Sequence, residues 1–111
     1  MVLSKPQMNK NNIIKQIKEV IAALDNSATA ILFGSRARGN EKEDSDWDIL
    51  ILLPKDKVTL KDEQLFRHKL YELELKIEMP ISAFVYPLHD WNNKLKYTPL
   101  HRNIDREGLI L

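Results

Sequence analysis

Two apolar runs, Ala30-Ile31-Leu32-Phe33 and Ile49-Leu50-Ile51-Leu52-Leu53, lie on either side of one short polar stretch. Gly34 stops the first run and Pro54 the second, so both read as strands, and the second, apolar on both faces, as a central one. The stretch between them contains Gly34-Ser35-Arg36-Ala37-Arg38-Gly39, a polar loop Asn40–Asp44, and Ser45-Asp46-Trp47-Asp48. In a glycine turn between strands, backbone amides can face a phosphate. Asp46 and Asp48 open the second strand one residue apart, so alternation turns both to the same face. Two like charges side by side call for a counter-charge, most commonly a divalent cation. Gly34-Ser35 alone would be an ordinary turn, and Asp46-x-Asp48 alone a solvated strand start. Their combination makes a phosphate cradle with metal carboxylates the leading reading.

The rest of the chain narrows the field. At 111 residues it is long enough for one core and too short for two, so residues 1–111 are expected to form one domain. Net charge is +1, from 17 basic and 16 acidic residues, so no overall pull toward nucleic acid or an anionic membrane is expected. Cysteine is absent, which removes disulfides, thiolate metal sites and cysteine nucleophiles together. Met1–Asn12 is polar and lysine-bearing, unlike a signal peptide, and no apolar run approaches the roughly 18 residues of a membrane span. A cytoplasmic protein is expected.

Along the chain, Ile13, Ile14, Ile17, Val20, Ile21 and Leu24 form the stripe of an amphipathic helix over Asn11–Leu24, with Asn11 or Asn12 as its cap. Thr29–Phe33 is the first strand and Trp47–Leu53 the second. A long helix is expected from Lys57 to about Leu75, capped by Thr59, although the alternation of Glu72, Glu74, Lys76 and Glu78 with apolar residues also fits a strand. Ile81–Tyr86 is a third strand between prolines, followed by short helices at His89–Lys96 and Pro99–Arg106 and an edge strand at Leu109–Leu111. The fold class is α/β (α+β): a small mixed sheet flanked by helices. His68, His89 and His101 lack ligand spacing. Trp47, between the aspartates, should point away from them into packing; Trp91 and Tyr97 either form a partner surface or cover the sheet.

With these residues in view, the chain resembles the minimal nucleotidyltransferases of the DNA polymerase beta superfamily. Their pattern is Gly-Ser-x-Ala-x-Gly, a spacer, then Ser-Asp-x-Asp and an apolar strand. Gly34, Ser35, Ala37 and Gly39 match its first part, and Ser45, Asp46 and Asp48 its second. Ile104-x-x-Glu107-Gly108 resembles the ending of many relatives. The resemblance implies the polymerase beta-like fold and transfer of a nucleotidyl group from an NTP, ATP above all, to a hydroxyl. It implies that Gly34 and Ser35 hold the triphosphate, with Arg36 or Arg38 as its charge partners. It implies that Asp46 and Asp48 are catalytic and bind two magnesium ions. It further implies an acceptor supplied by a second copy or by a partner, such as the small helical HEPN protein that accompanies minimal members as toxin to their antitoxin.

One position departs from the pattern. The family carries a third carboxylate on the next core strand, where this chain has Ser82. Glu78 would lie about 13 Å away at roughly 3.3 Å per residue, with Pro80 between, and Asp90 is remote. Loss of a general base costs a factor of about 10² to 10⁴. Ser82 therefore supports an alternative: a catalytically degenerate relative that binds nucleotide or neutralises a partner by contact.

Overall fold

A computed structural model describes residues 9–111. Most of the polar Met1–Asn12 stretch lies outside the described residues.

Helix α1, Lys10–Leu24, buries Ile13, Ile17 and Ile21 of the expected stripe. Its cap is Asn9, whose side chain accepts from the Asn12 amide at 2.9 Å, so the helix starts earlier than the apolar periodicity indicates. Strand β1, Thr29–Phe33, leads through Gly34 into a single helical turn, α2, Ser35–Arg38. Strand β2, Trp47–Leu53, follows the polar loop and is the most deeply buried element.

Helix α3 runs Leu60–Ile77. A reciprocal capping box fixes its start: the Thr59 hydroxyl accepts from the Asp62 amide, and the Asp62 carboxylate accepts from the Thr59 amide. The alternating segment through Ile77 is helical throughout, because Leu73 and Ile77, four apart, reach the core on one face. Glu78 ends the helix in the left-handed region at φ 58°, so it belongs to a helix cap and not to the strand that carries Ser82.

Strand β3, Ile81–Pro87, is followed by α4, Leu88–Asn92, shorter than expected, then α5, Pro99–Glu107, and a two-residue strand β4, Leu109–Ile110. The sheet order is β3-β2-β1-β4. β2 runs parallel to β3 and antiparallel to β1, which is antiparallel to β4, so the sheet is mixed as expected.

Strand alternation divides the core between two faces. Trp47, Ile49, Ile51 and Leu53 face α1 and α3, where they meet Ile13, Ile17, Phe66 and Leu70. Leu50 and Leu52 turn the other way, into a smaller cluster with Phe33, Trp91 and Ile104 beneath α4 and α5. Asp48 belongs to this second set, at the end of β2 where the strand begins. Among the described residues, no helix is long and apolar enough to cross a membrane.

Candidate nucleotidyl-transfer site

β1 delivers Gly34 to one end of the sheet, and β2 starts beside it: Phe33 is the register partner of Asp48. Gly34 sits at φ 75°, a conformation that side-chain-bearing residues rarely adopt. A Cβ there would lie 2.3 Å from Asp48 Oδ2, so the bare backbone of Gly34 is the wall against which the Asp48 carboxylate rests. Gly39, at φ 79°, closes α2 with open space around it. The two glycines therefore do different work. Gly34→Ala is expected to displace the Asp48 carboxylate and weaken nucleotide affinity at least tenfold in a fluorescent-nucleotide titration. Gly39→Ala is expected to cost about 1–2 kcal/mol in urea unfolding and leave affinity unchanged.

On the other side, Asp48 pairs in register with Ser82. The Ser82 hydroxyl donates to Asp46 Oδ2 at 3.3 Å. Asp46, Asp48 and Ser82 thus come together at one end of the sheet, on the face away from α1 and α3. Asp48 is half-buried, and its carboxyl is held above the ordinary carboxylate range, first by desolvation and then by the neighbouring Asp46 charge. Arg38 acts in the opposite direction on Asp48, which puts its guanidinium within electrostatic reach.

The structure separates the two arginines. Arg36 is buried, and its guanidinium donates to the Ser45 carbonyl at 2.9 Å and the Glu43 carbonyl at 3.2 Å while lying 4.6 Å from the Trp47 ring centre. Met79 Sδ accepts from the Trp47 indole N–H beneath it. The expectation that Arg36 meets phosphate is corrected here, because these contacts turn its head into the loop that leads to Asp46. Replacing it with Leu is expected to lower the free energy of unfolding by about 2–4 kcal/mol, read by urea titration. Lysine should not restore the loss, since a single ammonium cannot span both carbonyls in Arg's fork geometry.

Arg38 is the exposed member of the pair. Both oxygens of Glu107, whose side chain is mostly buried at the end of α5, hold it at 3.1 and 3.2 Å. Reading the sequence missed this role for Glu107, although the Ile104-x-x-Glu107-Gly108 ending was the available signal. Trp47 is fully buried against the helices, as alternation required. Asp90 lies in α4, beyond the opposite end of β3, where its carboxylate pairs with Lys94 at 3.9 Å. His101 stacks on Trp91 in the core beneath α5.

The donor set can be tested against the divalent metal that the resemblance implies. Two adjacent carboxylates, one with its charge disfavoured by burial and by the other, suit one hard cation with oxygen ligands. They do not supply a three-carboxylate set. Among the described residues, no three His, Cys, Asp or Glu side chains converge, and residues 1–8 contain none of these types. Glu74, which lines a groove with Ser82, is tied to the Ile81 amide at 2.7 Å.

A mixed four-stranded sheet with a glycine turn set against paired aspartates defines a nucleotidyltransferase-type site. Residues 14–110 match the model of the nucleotidyltransferase domain, and the chain belongs to that family. Two proteins of Methanocaldococcus jannaschii, inferred to be protein adenylyltransferases, are similar to it. One is 36% identical over 87% of this chain and 95% of its own length. The other is 41% identical over 67% of this chain and 76% of its own.

Among solved structures, an inferred minimal nucleotidyltransferase matches with TM-score 0.63 and 22% identity, over 95% of this chain and 98% of that one. A toxin–antitoxin structure with AMP-PNP matches with TM-score 0.62 and 19% identity, over 93% of this chain and 72% of that one. A mutant of the toxin–antitoxin MntA-HpeT matches with TM-score 0.57 and 20% identity, over 95% and 72%. At these identities the solved structures establish the minimal nucleotidyltransferase fold.

Proposed function

We propose that residues 1–111 act as one minimal domain that transfers AMP from ATP to a hydroxyl on a partner protein, as the antitoxin of a toxin–antitoxin pair. The observation that carries this reading is the contact between the Gly34 turn and the Asp48 carboxylate, with Asp46 on the same face. The Gly34-Ser35 backbone and the Ser35 hydroxyl would receive the triphosphate, and Arg38, held by Glu107, would carry its charge. Asp46 and Asp48 would hold magnesium, which when bound neutralises the triphosphate and the leaving pyrophosphate. The acceptor oxygen attacks the α-phosphorus, the bond to the β-bridging oxygen breaks, and pyrophosphate leaves. The names of the Methanocaldococcus relatives support adenylyl transfer to protein. The toxin–antitoxin structures, one with AMP-PNP, support a nucleotide and a toxin as partners. The cytoplasm, which holds ATP, is the expected location.

Ser82 favours a second reading, in which the same fold neutralises a partner by contact. The two separate when the protein is incubated with α-labelled ATP, magnesium and its co-encoded neighbour, beside an Asp46→Ala, Asp48→Ala double variant. Label transferred by the native protein alone supports the enzyme. A tight complex that survives the double substitution, with no transfer, supports neutralisation by contact.

A further inference from the structure

We infer that this site, read as a nucleotidyl-transfer site as above, takes one divalent cation per bound nucleotide, and that residue 82 sets that number. Two dications about 3.5–4 Å apart repel each other strongly and stay together only when bridging anions sit between them. In this chain the residue beside the aspartate pair is Ser82, in register with Asp48, and it supplies no anion that would bridge a second ion. Its hydroxyl is neutral at every working pH and donates to Asp46 Oδ2, so it occupies a lone pair of Asp46 and brings no charge. Asp46 and Asp48 together carry the charge of one dication. Glu78 closes α3 and Glu74 accepts the Ile81 amide, so the acids nearest in sequence are placed by other structural duties.

The consequence for the reaction lies with the acceptor's proton. As the acceptor oxygen bonds to the α-phosphorus, its proton must leave, and a serine hydroxyl already donating to a carboxylate is no base for it. In this chain the proton passes to water or to a basic group carried by the acceptor molecule itself. Acceptors with an acidified hydroxyl, or with a base beside it, are the chemical class the site suits.

The test is a Mn²⁺ titration followed by electron paramagnetic resonance, with the full chain and a non-hydrolysable ATP analogue. The native protein should bind one Mn²⁺ per bound nucleotide, and Ser82→Asp should bind two. Ser82→Asn, uncharged but similar in size to aspartate, should remain at one. Far-UV circular dichroism of each variant establishes that it is folded.

Two ions on the native protein would overturn the inference while leaving the nucleotidyl-transfer reading intact. A folded Ser82→Asp that still binds one ion would overturn the assignment to residue 82. Failure of the native protein to bind the analogue at all would remove the underlying reading, and this inference with it.

Discussion

Replacing Asp48 with Asn is expected to abolish nucleotidyl transfer, by at least about 10³-fold, while making the folded protein no less stable or more so. The loss follows from position. Asp48 is the carboxylate set against the Gly34 turn, and removing its charge removes a proposed metal ligand, where metal-assisted stabilisation of several kcal/mol would act. The stability effect follows from electrostatics. Desolvation and the Asp46 charge raise the Asp48 carboxyl above its unfolded value, so the folded state binds this proton more tightly than the unfolded chain. Stability from this group is thus present at low pH and lost as pH rises from its unfolded value, 3.8, through the raised folded one.

At neutral pH the ionised group opposes folding, and Asn removes that opposition. Thermal melts at pH 7 should show an equal or higher Tm for Asp48→Asn, with the gain shrinking below pH 4. A clear drop in Tm at pH 7 would contradict the electrostatic account. Retained transfer would remove Asp48 from the chemistry.

Introducing a carboxylate is expected to do the reverse. Ser82→Asp should raise the rate of transfer to a simple hydroxyl acceptor by about 10² to 10⁴, the range that a positioned general base contributes. The register and the 3.3 Å contact put residue 82 against Asp48 and Asp46, on a partly exposed strand end where an added charge meets solvent. The accompanying effect is destabilisation without metal, because three carboxylates would then share one corner of the sheet. Single-turnover transfer and a melt with and without magnesium measure both. Unchanged transfer together with a second bound ion would separate metal number from base catalysis, and would place the missing proton acceptor elsewhere.

Local chemistry made much of this molecule legible in its sequence. The apolar runs, Gly34 and Pro54 marked β1 and β2; the isoleucine stripe marked α1; and the spacing of Asp46 and Asp48 marked a shared face, because a strand alternates whatever surrounds it. The family pattern supplied the nucleotidyltransferase fold that the comparisons bear out. What local rules could not settle was the fate of residues whose patterns fit two structures. The segment ending at Glu78 alternates like a strand, yet it is helix, because packing Leu73 and Ile77 against the sheet outweighs the alternation of the charges between them.

Arg36 and Arg38 were interchangeable as cations in one short motif. Only tertiary structure separated them: α2 turns Arg36 toward the carbonyls of the loop before Asp46, and Arg38 toward Glu107, 69 residues along the chain. Ser82 was visible as a missing acid. Its hydrogen bond to Asp46 required β2 and β3 to pair in parallel, and register between strands far apart in sequence is fixed by the whole sheet and its core. By itself, then, the sequence determined which residues form the glycine turn and the carboxylate pair, since both depend on neighbours along the chain. The partners of Arg36, Arg38 and Ser82 depended on contacts that exist only once the sheet has closed.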